Sequence, residues 1–107
     1  VKLEFNLEET GDGKALLHVA GDVTIHTSSS LRNQLKPLLS PPMKEVHVAL
    51  EDVDFMDSSG IATLVEGLQW ARETGGRFVL SGLSDNVRDI FSLAKLDTVF
   101  EITDSVE

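Results

Sequence analysis

Asp57, Ser58, Ser59 and Gly60 stand where the stretch DFMDSSGIATLVEGL, residues 54–68, changes from short mixed spacing to apolar residues at helical intervals. An acid, two hydroxyls and a glycine at a helix start can serve two ends. A serine oxygen can accept a hydrogen bond from an amide that the first helical turn leaves unpaired, so an N-cap explains one serine. The same unpaired amides and the positive end of the helix dipole can hold a phosphate, so a serine there can be reached by a kinase and tolerate the modified state. Capping accounts less well for a pair of serines with an acid before and a glycine after. Spacing alone leaves both uses open.

Other chemistry-bearing residues are set out less suggestively. The acids of EDVDFMD, 51–57, do not make a calcium loop, because Met56 and a missing glycine break the D-x-D-x-D-G spacing. His18, His26 and His47 are far apart in sequence, and His18 and His47 fall on strand patterns, which favours ordinary buried or surface histidines over a shared metal. No G-x-S-x-G elbow makes Ser58 a hydrolase nucleophile, and no phosphate-binding glycine loop of the P-loop type occurs. With no second catalytic group beside the serine, an enzyme is not expected, nor is a metal or cofactor. Ser28, Ser29 and Ser30 form another hydroxyl cluster, explained by capping and a polar first turn. Trp70 falls opposite Ile61, Leu64 and Leu68 on the helical wheel, near Ser59 and Thr63. It either packs on a neighbouring helix or loop or stands exposed as an aromatic anchor for a partner.

The elements that must position these residues follow from periodicity. LEFNL (3–7) and KALLHVAG (14–21) alternate around a Gly-Asp-Gly turn and predict a β-hairpin. IHTSSSLRNQLKPLL (25–39) places Leu31, Leu35 and Leu38 at helical spacing behind a hydroxyl cluster suited to N-capping, and Pro37 is expected to kink or end that helix early. EVHVAL (45–50) reads as a strand. The helix 58–74 should bury Ile61, Leu64, Val65, Leu68 and the stem of Arg72, and end at Gly75-Gly76. RFVLSG (77–82) is a strand, SDNVRDIFSLA (84–94) a helix capped by Ser84, and TVFEI (98–102) a last strand. The order ββαβαβαβ predicts an α/β fold with a mixed five-stranded sheet, mostly parallel, joined by crossover helices, with an antiparallel N-terminal hairpin.

The 107 residues suit one domain, 1–107, and 41% hydrophobic content is enough for a core. No apolar run approaches membrane-spanning length, the N-terminal stretch lacks the pattern of a signal peptide, and there is no cysteine, which fits a reducing cytoplasm. Eighteen acids against 9 bases give a net charge of −9, which opposes binding to nucleic acid or to an anionic membrane surface. The excess serves solubility or matches a basic partner.

From Leu50 to Phe91 the chain closely resembles the STAS domain of bacterial anti-sigma factor antagonists. In that family a strand leads into a D-S-x-G turn and a helix ending at a double glycine, followed by a strand and a helix with a V-x-x-[ILF]-F pattern. GDVTIHTSSSL near the N-terminus extends the likeness over most of the chain. The resemblance implies a phosphorylation-controlled partner switch. Ser58 would be phosphorylated by an anti-sigma factor that is itself a GHKL-type serine kinase. The unmodified form would bind that kinase and free the sigma factor, and a PP2C-type phosphatase would restore it. Asp22 and Thr24 of the GDVT loop would join Asp57, Ser58, Ser59, Gly60 and Thr63 in partner binding, with Trp70 as the candidate anchor. Asp57 and Ser59 would shape the turn, and Gly60 would let the partner's active site approach. Two positions depart from the family: Thr24 stands where an Asp is common, and Lys95 where a glycine is common. The rival expectation keeps the fold and drops phosphorylation, leaving a scaffold or subunit of a sensory or lipid-transport assembly.

Overall fold

Period-two alternation decides the first two elements. In a computed structural model that describes residues 2–40 and 43–104, β1 (Glu4–Glu9) and β2 (Lys14–Ala20) pair antiparallel, with Glu4 opposite Ala20 and Glu9 opposite Ala15. Three further strands add in parallel, β3 (Glu45–Asp52), β4 (Arg77–Ser81) and β5 (Glu101–Thr103), in the order β1-β2-β3-β4-β5. Parallel neighbours need crossovers, supplied by α1 (Ser28–Leu38), α2 (Ser58–Thr74) and α3 (Asp85–Leu93). The expected mixed sheet and element order are therefore present. The last strand starts later than its pattern suggested, because Phe100 turns into the core against Phe91, with ring centroids 5.6 Å apart.

Leu17, Val48 and Leu80 lie side by side across three strands, fully buried beneath Leu31 and Leu35 of α1, Leu64 of α2 and Val87 and Phe91 of α3. The opposite face carries a charged cluster in which Arg77 donates to Glu45 and Glu101, and His47 pairs with Glu45 at 2.9 Å. Burial raises the Glu45 pKa, but the hydrogen bonds from Arg77 and His47 outweigh it and hold the carboxyl below the usual range.

The helices correct several expectations. Helix α2 buries Gly60, Thr63, Leu64, Gly67 and Ala71, whereas Ile61, Val65 and Leu68 are half-buried on its flank and Arg72 is exposed. Small residues line the contact because neighbours come too close for larger ones: a Cβ on Gly67 would meet Phe78 at 3.1 Å and Leu39 at 3.4 Å. A Cβ on Gly60 would meet Met56 Cγ at 2.5 Å and Val23 Cγ1 at 2.7 Å. In α1, Pro37 sits exposed inside the last turn, and the helix continues one residue past it. Pro37 removes the bond its amide would have donated four residues back, and the helix ends one residue later. The hydroxyl expected to cap α1 is not used so: Thr27 occupies the cap position without a side-chain capping bond. Ser84 does cap α3, accepting from the Val87 amide at 3.4 Å.

Helices α2 and α3 end alike. After α2, Gly75 takes φ 74°, with the Gly76 amide bonded to the Ala71 carbonyl at 2.8 Å. After α3, Lys95 takes φ 59°, with the Leu96 amide bonded to the Phe91 carbonyl at 2.8 Å and its own amide to Ser92 at 3.0 Å. Both closures follow the Schellman pattern, which favours glycine at the left-handed position. Lys95 adopts the glycine geometry and bears its steric cost.

Two substitutions test this packing. Lys95→Gly relieves a left-handed cost of about 1–2 kcal/mol and adds about 0.5–1 kcal/mol of unfolded-state entropy, so urea denaturation should show a net gain of about 0.5–1 kcal/mol. A lower midpoint would contradict the strain assigned to Lys95. Gly60→Ala should destabilise by about 1–3 kcal/mol through overpacking against Val23 and Met56. An unchanged melting temperature would show that this contact yields easily.

Candidate functional site

The junction between β3 and α2 is organised by one carboxylate. Asp57 is extended (φ −93°, ψ −174°) and occupies the N-cap position of α2. Its Oδ1 accepts from the amides of Ser59 (2.9 Å) and Gly60 (3.3 Å). Its Oδ2 accepts from the amide of Ile25, 3.0 Å away and 32 residues earlier in the chain. The cap is thus the acid, not a serine. An ionised oxygen is the stronger acceptor for an orphan amide, and the second oxygen reaches a donor that no serine could serve at the same time. Ser58 is left at the first helical position, exposed, with no side-chain hydrogen bond among the described residues. Ser59 is half-buried, and its carbonyl accepts from the Thr63 hydroxyl at 3.0 Å.

The loop after β2 is built onto this junction. Val23 forms an isolated bridge with Met56: its amide donates to the Phe55 carbonyl and its carbonyl accepts from the Asp57 amide, both at 3.0 Å. The buried Thr27 hydroxyl donates to the Asp22 carbonyl at 2.7 Å and accepts from the Thr24 amide at 2.9 Å, which is why it caps no helix. Thr24 accepts from the His26 amide on its hydroxyl at 3.2 Å and from the Ser28 amide on its carbonyl at 2.7 Å. Thr24 serves as a loop staple through both its hydroxyl and its carbonyl. Asp22, Thr24, His26 and Thr27 line a small depression beside it. From the other side, Ser84 donates to the Val53 carbonyl at 3.0 Å and Asn86 to the Asp54 carbonyl at 3.4 Å. Segment 53–57 is therefore clamped between the loop and the start of α3, at the carboxyl ends of the parallel strands, where open α/β sheets place their binding sites.

Asp22, Thr24, Asp57, Ser58 and Ser59 come together at this end of the sheet, with Asp22 and Ser58 exposed. Three other residues expected in partner binding have different places. Gly60 is buried, and its bareness makes room for Val23 and Met56 of its own chain. Thr63 is buried and its hydroxyl is spent on Ser59. Trp70 lies twelve residues along the helix from Ser58, about 18 Å at 1.5 Å per residue. It is half-buried against the core, with the Arg32 guanidinium of α1 5.6 Å from its ring centroid and Arg32 in turn bonded to Glu66 at 3.2 Å. Trp70 thus packs in part against α1, one of the two places its wheel position allows.

Two residues at this end escaped the sequence reading. Ile25 is 70% exposed and Phe55 46% exposed, on the two segments that the Val23 bridge joins. Ile25 falls within the stretch expected to form α1, yet it precedes the helix; its break from the Leu31, Leu35, Leu38 spacing is the available signal. His18 pairs with Glu8 and His47 with Glu45, away from Ser58.

Comparison with known proteins agrees with this geometry. The family model described as "Mlab, STAS domain" matches residues 7–103. An anti-sigma-B factor antagonist of Staphylococcus aureus is 24% identical over 106 residues, covering 98% of both chains. The structure of an anti-sigma factor antagonist from Mycobacterium paratuberculosis superposes with a TM-score of 0.86 at 19% identity, covering 97% of this chain and 87% of that one. SpoIIAA, an anti-sigma factor antagonist, superposes in its unphosphorylated form with a TM-score of 0.82 (22% identity, 97% and 90% covered). Its phosphorylated form, from Bacillus, gives 0.76 (21% identity, 97% and 93% covered). Those structural likenesses establish the fold, and the family model takes in both the Val23 loop and the Asp57 cap. The chain belongs to the STAS domain family.

Proposed function

We propose that this STAS domain is an anti-sigma factor antagonist, a regulatory binding protein and not an enzyme, whose partner surface is the Ser58 end and whose switch is phosphorylation of Ser58. The observation that carries the proposal is the division of labour at the α2 start. Asp57 takes the capping bonds, and Ser58 keeps an exposed, unengaged hydroxyl. The curated relative named an antagonist and the two phosphorylation states of SpoIIAA support the same assignment.

The physical account is local. In the unmodified state the surface around Ser58 binds an anti-sigma factor of the GHKL serine kinase type, which releases its sigma factor. Phosphate adds about −1.5 to −2 charge and three acceptor oxygens. Here it arrives directly beside the Asp57 carboxylate, with Asp54 exposed nearby. A partner closing over that group must desolvate a dianion beside a second anion, and the contact is lost without any refolding of the domain. A PP2C-type phosphatase removes the phosphate and restores binding.

Incubation with the cognate kinase and ATP, followed by phosphopeptide mapping, should place one phosphate on Ser58. Ser58→Ala should abolish it, keep kinase binding, and change stability by less than about 0.5 kcal/mol, because Ser58 is not the cap. Ser58→Asp should weaken binding less than phosphate does, since it brings one charge where phosphate brings about two. Phosphate mapped to Ser59 or to the Ser28–Ser30 cluster would sink the assignment, and full binding by the phosphorylated chain would leave a scaffold role instead.

A further inference from the structure

Ile25 and Phe55 are large apolar side chains left in water on a backbone that is firmly held. The Ile25 amide is bonded to Asp57, and the Phe55 carbonyl accepts from Val23 at 3.0 Å. Among the described residues the other exposed large apolar side chains lie elsewhere: Leu7 on the edge strand β1, and Leu93 and Val99 by the opposite end of the sheet. Two apolar groups fixed outward beside Ser58 mark a docking surface, and the charge around them says what docks.

The strand ends and loops at this end carry exposed Asp22, Asp52, Asp54 and Asp85, none in an ion pair among the described residues. Among the described residues the cations nearest this end are Lys2, Arg88 and Arg32; Arg88 already faces Asp104 at 3.6 Å, and Arg32, in the second turn of α1, is bonded to Glu66 at 3.2 Å. Lys14, Lys36, Lys44, Arg72, Arg77 and Lys95 lie toward the other end, where the acids Glu45 and Glu101 meet Arg77. The chain is thus electrostatically polarised, with uncompensated negative charge gathered around the apolar pair.

Resting on the antagonist function proposed above, we propose that the anti-sigma factor presents to this end a basic protein surface with an apolar recess. Charge sets the rate of encounter, and burial of Ile25 and Phe55 sets the lifetime of the complex. Nucleic acid and anionic lipid carry the wrong sign. A second copy of this chain docked end to end would set acid against acid, which costs instead of steering. Phosphorylation and steering then act on different steps. The aspartates govern association, whereas a phosphate caught in the contact raises dissociation, because it must be desolvated only once the surfaces close.

Stopped-flow association of the full chain with its anti-sigma factor, over a salt series from about 50 to about 500 mM, tests this directly. The association rate constant should fall at least ten-fold across the series. The double variant Asp22→Asn, Asp54→Asn should associate several-fold more slowly at low salt and flatten that dependence. Lys36→Gln, at the other end, should match the wild type. Ile25→Ser and Phe55→Ser, each checked for folding by circular dichroism, should raise the dissociation rate at least ten-fold with little change in association. Binding whose association rate ignores salt overturns this proposal and leaves the antagonist function standing. Unchanged dissociation in both serine variants overturns the apolar half. Absence of binding at every salt concentration overturns both proposals together.

Discussion

A single carboxylate, that of Asp57, accepts three backbone amides from two parts of the chain, and the Ser58 end takes its shape from that fact. Ser59 and Gly60 belong to the first turn of α2, while Ile25 belongs to the loop after β2. Hydrogen bonds to a charged acceptor each contribute roughly 1.5–3 kcal/mol. Three on one side chain are enough to fix the loop against the helix. The same bonds satisfy the orphan amides of the helix start, so Ser58 is not required to do so. The serine's freedom is a consequence of the acid's position.

The carboxylate works only because the sheet and the core bring its donors to it. The parallel bonds between Val23 and the Phe55–Asp57 segment carry the loop alongside the junction, and the absent side chain at Gly60 lets α2 settle onto Val23 and Met56. Ser84 and Asn86 hold the other flank through the carbonyls of Val53 and Asp54. Packing thus sets the frame, the hydrogen bonds lock it, and the exposed serine, aspartates and apolar pair are what the frame displays. A modification on such a surface changes what can bind without having to change the fold.

Most of the architecture was legible because it rests on period. Alternation in KALLHVA and EVHVAL, the double glycine after α2 and Ser84 before α3 all act through local geometry, and each has its expected place. What the sequence hid depends on contacts between distant segments. DSSG offers three residues able to cap, and the bond from Ile25, 32 residues away, goes with the choice of Asp57. No local pattern carries that information. Of the α2 stripe Leu64 is buried and Ile61, Val65 and Leu68 flank it, because helical spacing counts hydrophobicity, whereas the tight contact with Phe78 and Leu39 selects small residues. Trp70 stands between packing and exposure on an isolated wheel, since a wheel cannot show that Arg32 of α1 lies over the ring. Lys95, a departure from the glycine of the family it resembles, keeps the left-handed backbone that glycine favours, and that strain is visible only in the structure.

The coupling between loop and helix through one side chain can be read amide by amide. Hydrogen exchange of the Ile25, Ser59 and Gly60 amides, compared between wild type and Asp57→Ala, measures it most directly. If the carboxylate holds both segments, all three amides should lose protection together, by about ten-fold or more. Amides in the middle of β2 and β3, which open only with the whole domain, should lose less protection than those three. An Ile25 amide that stays protected in Asp57→Ala while Ser59 and Gly60 open would contradict it, because the loop would then be held by something other than Asp57.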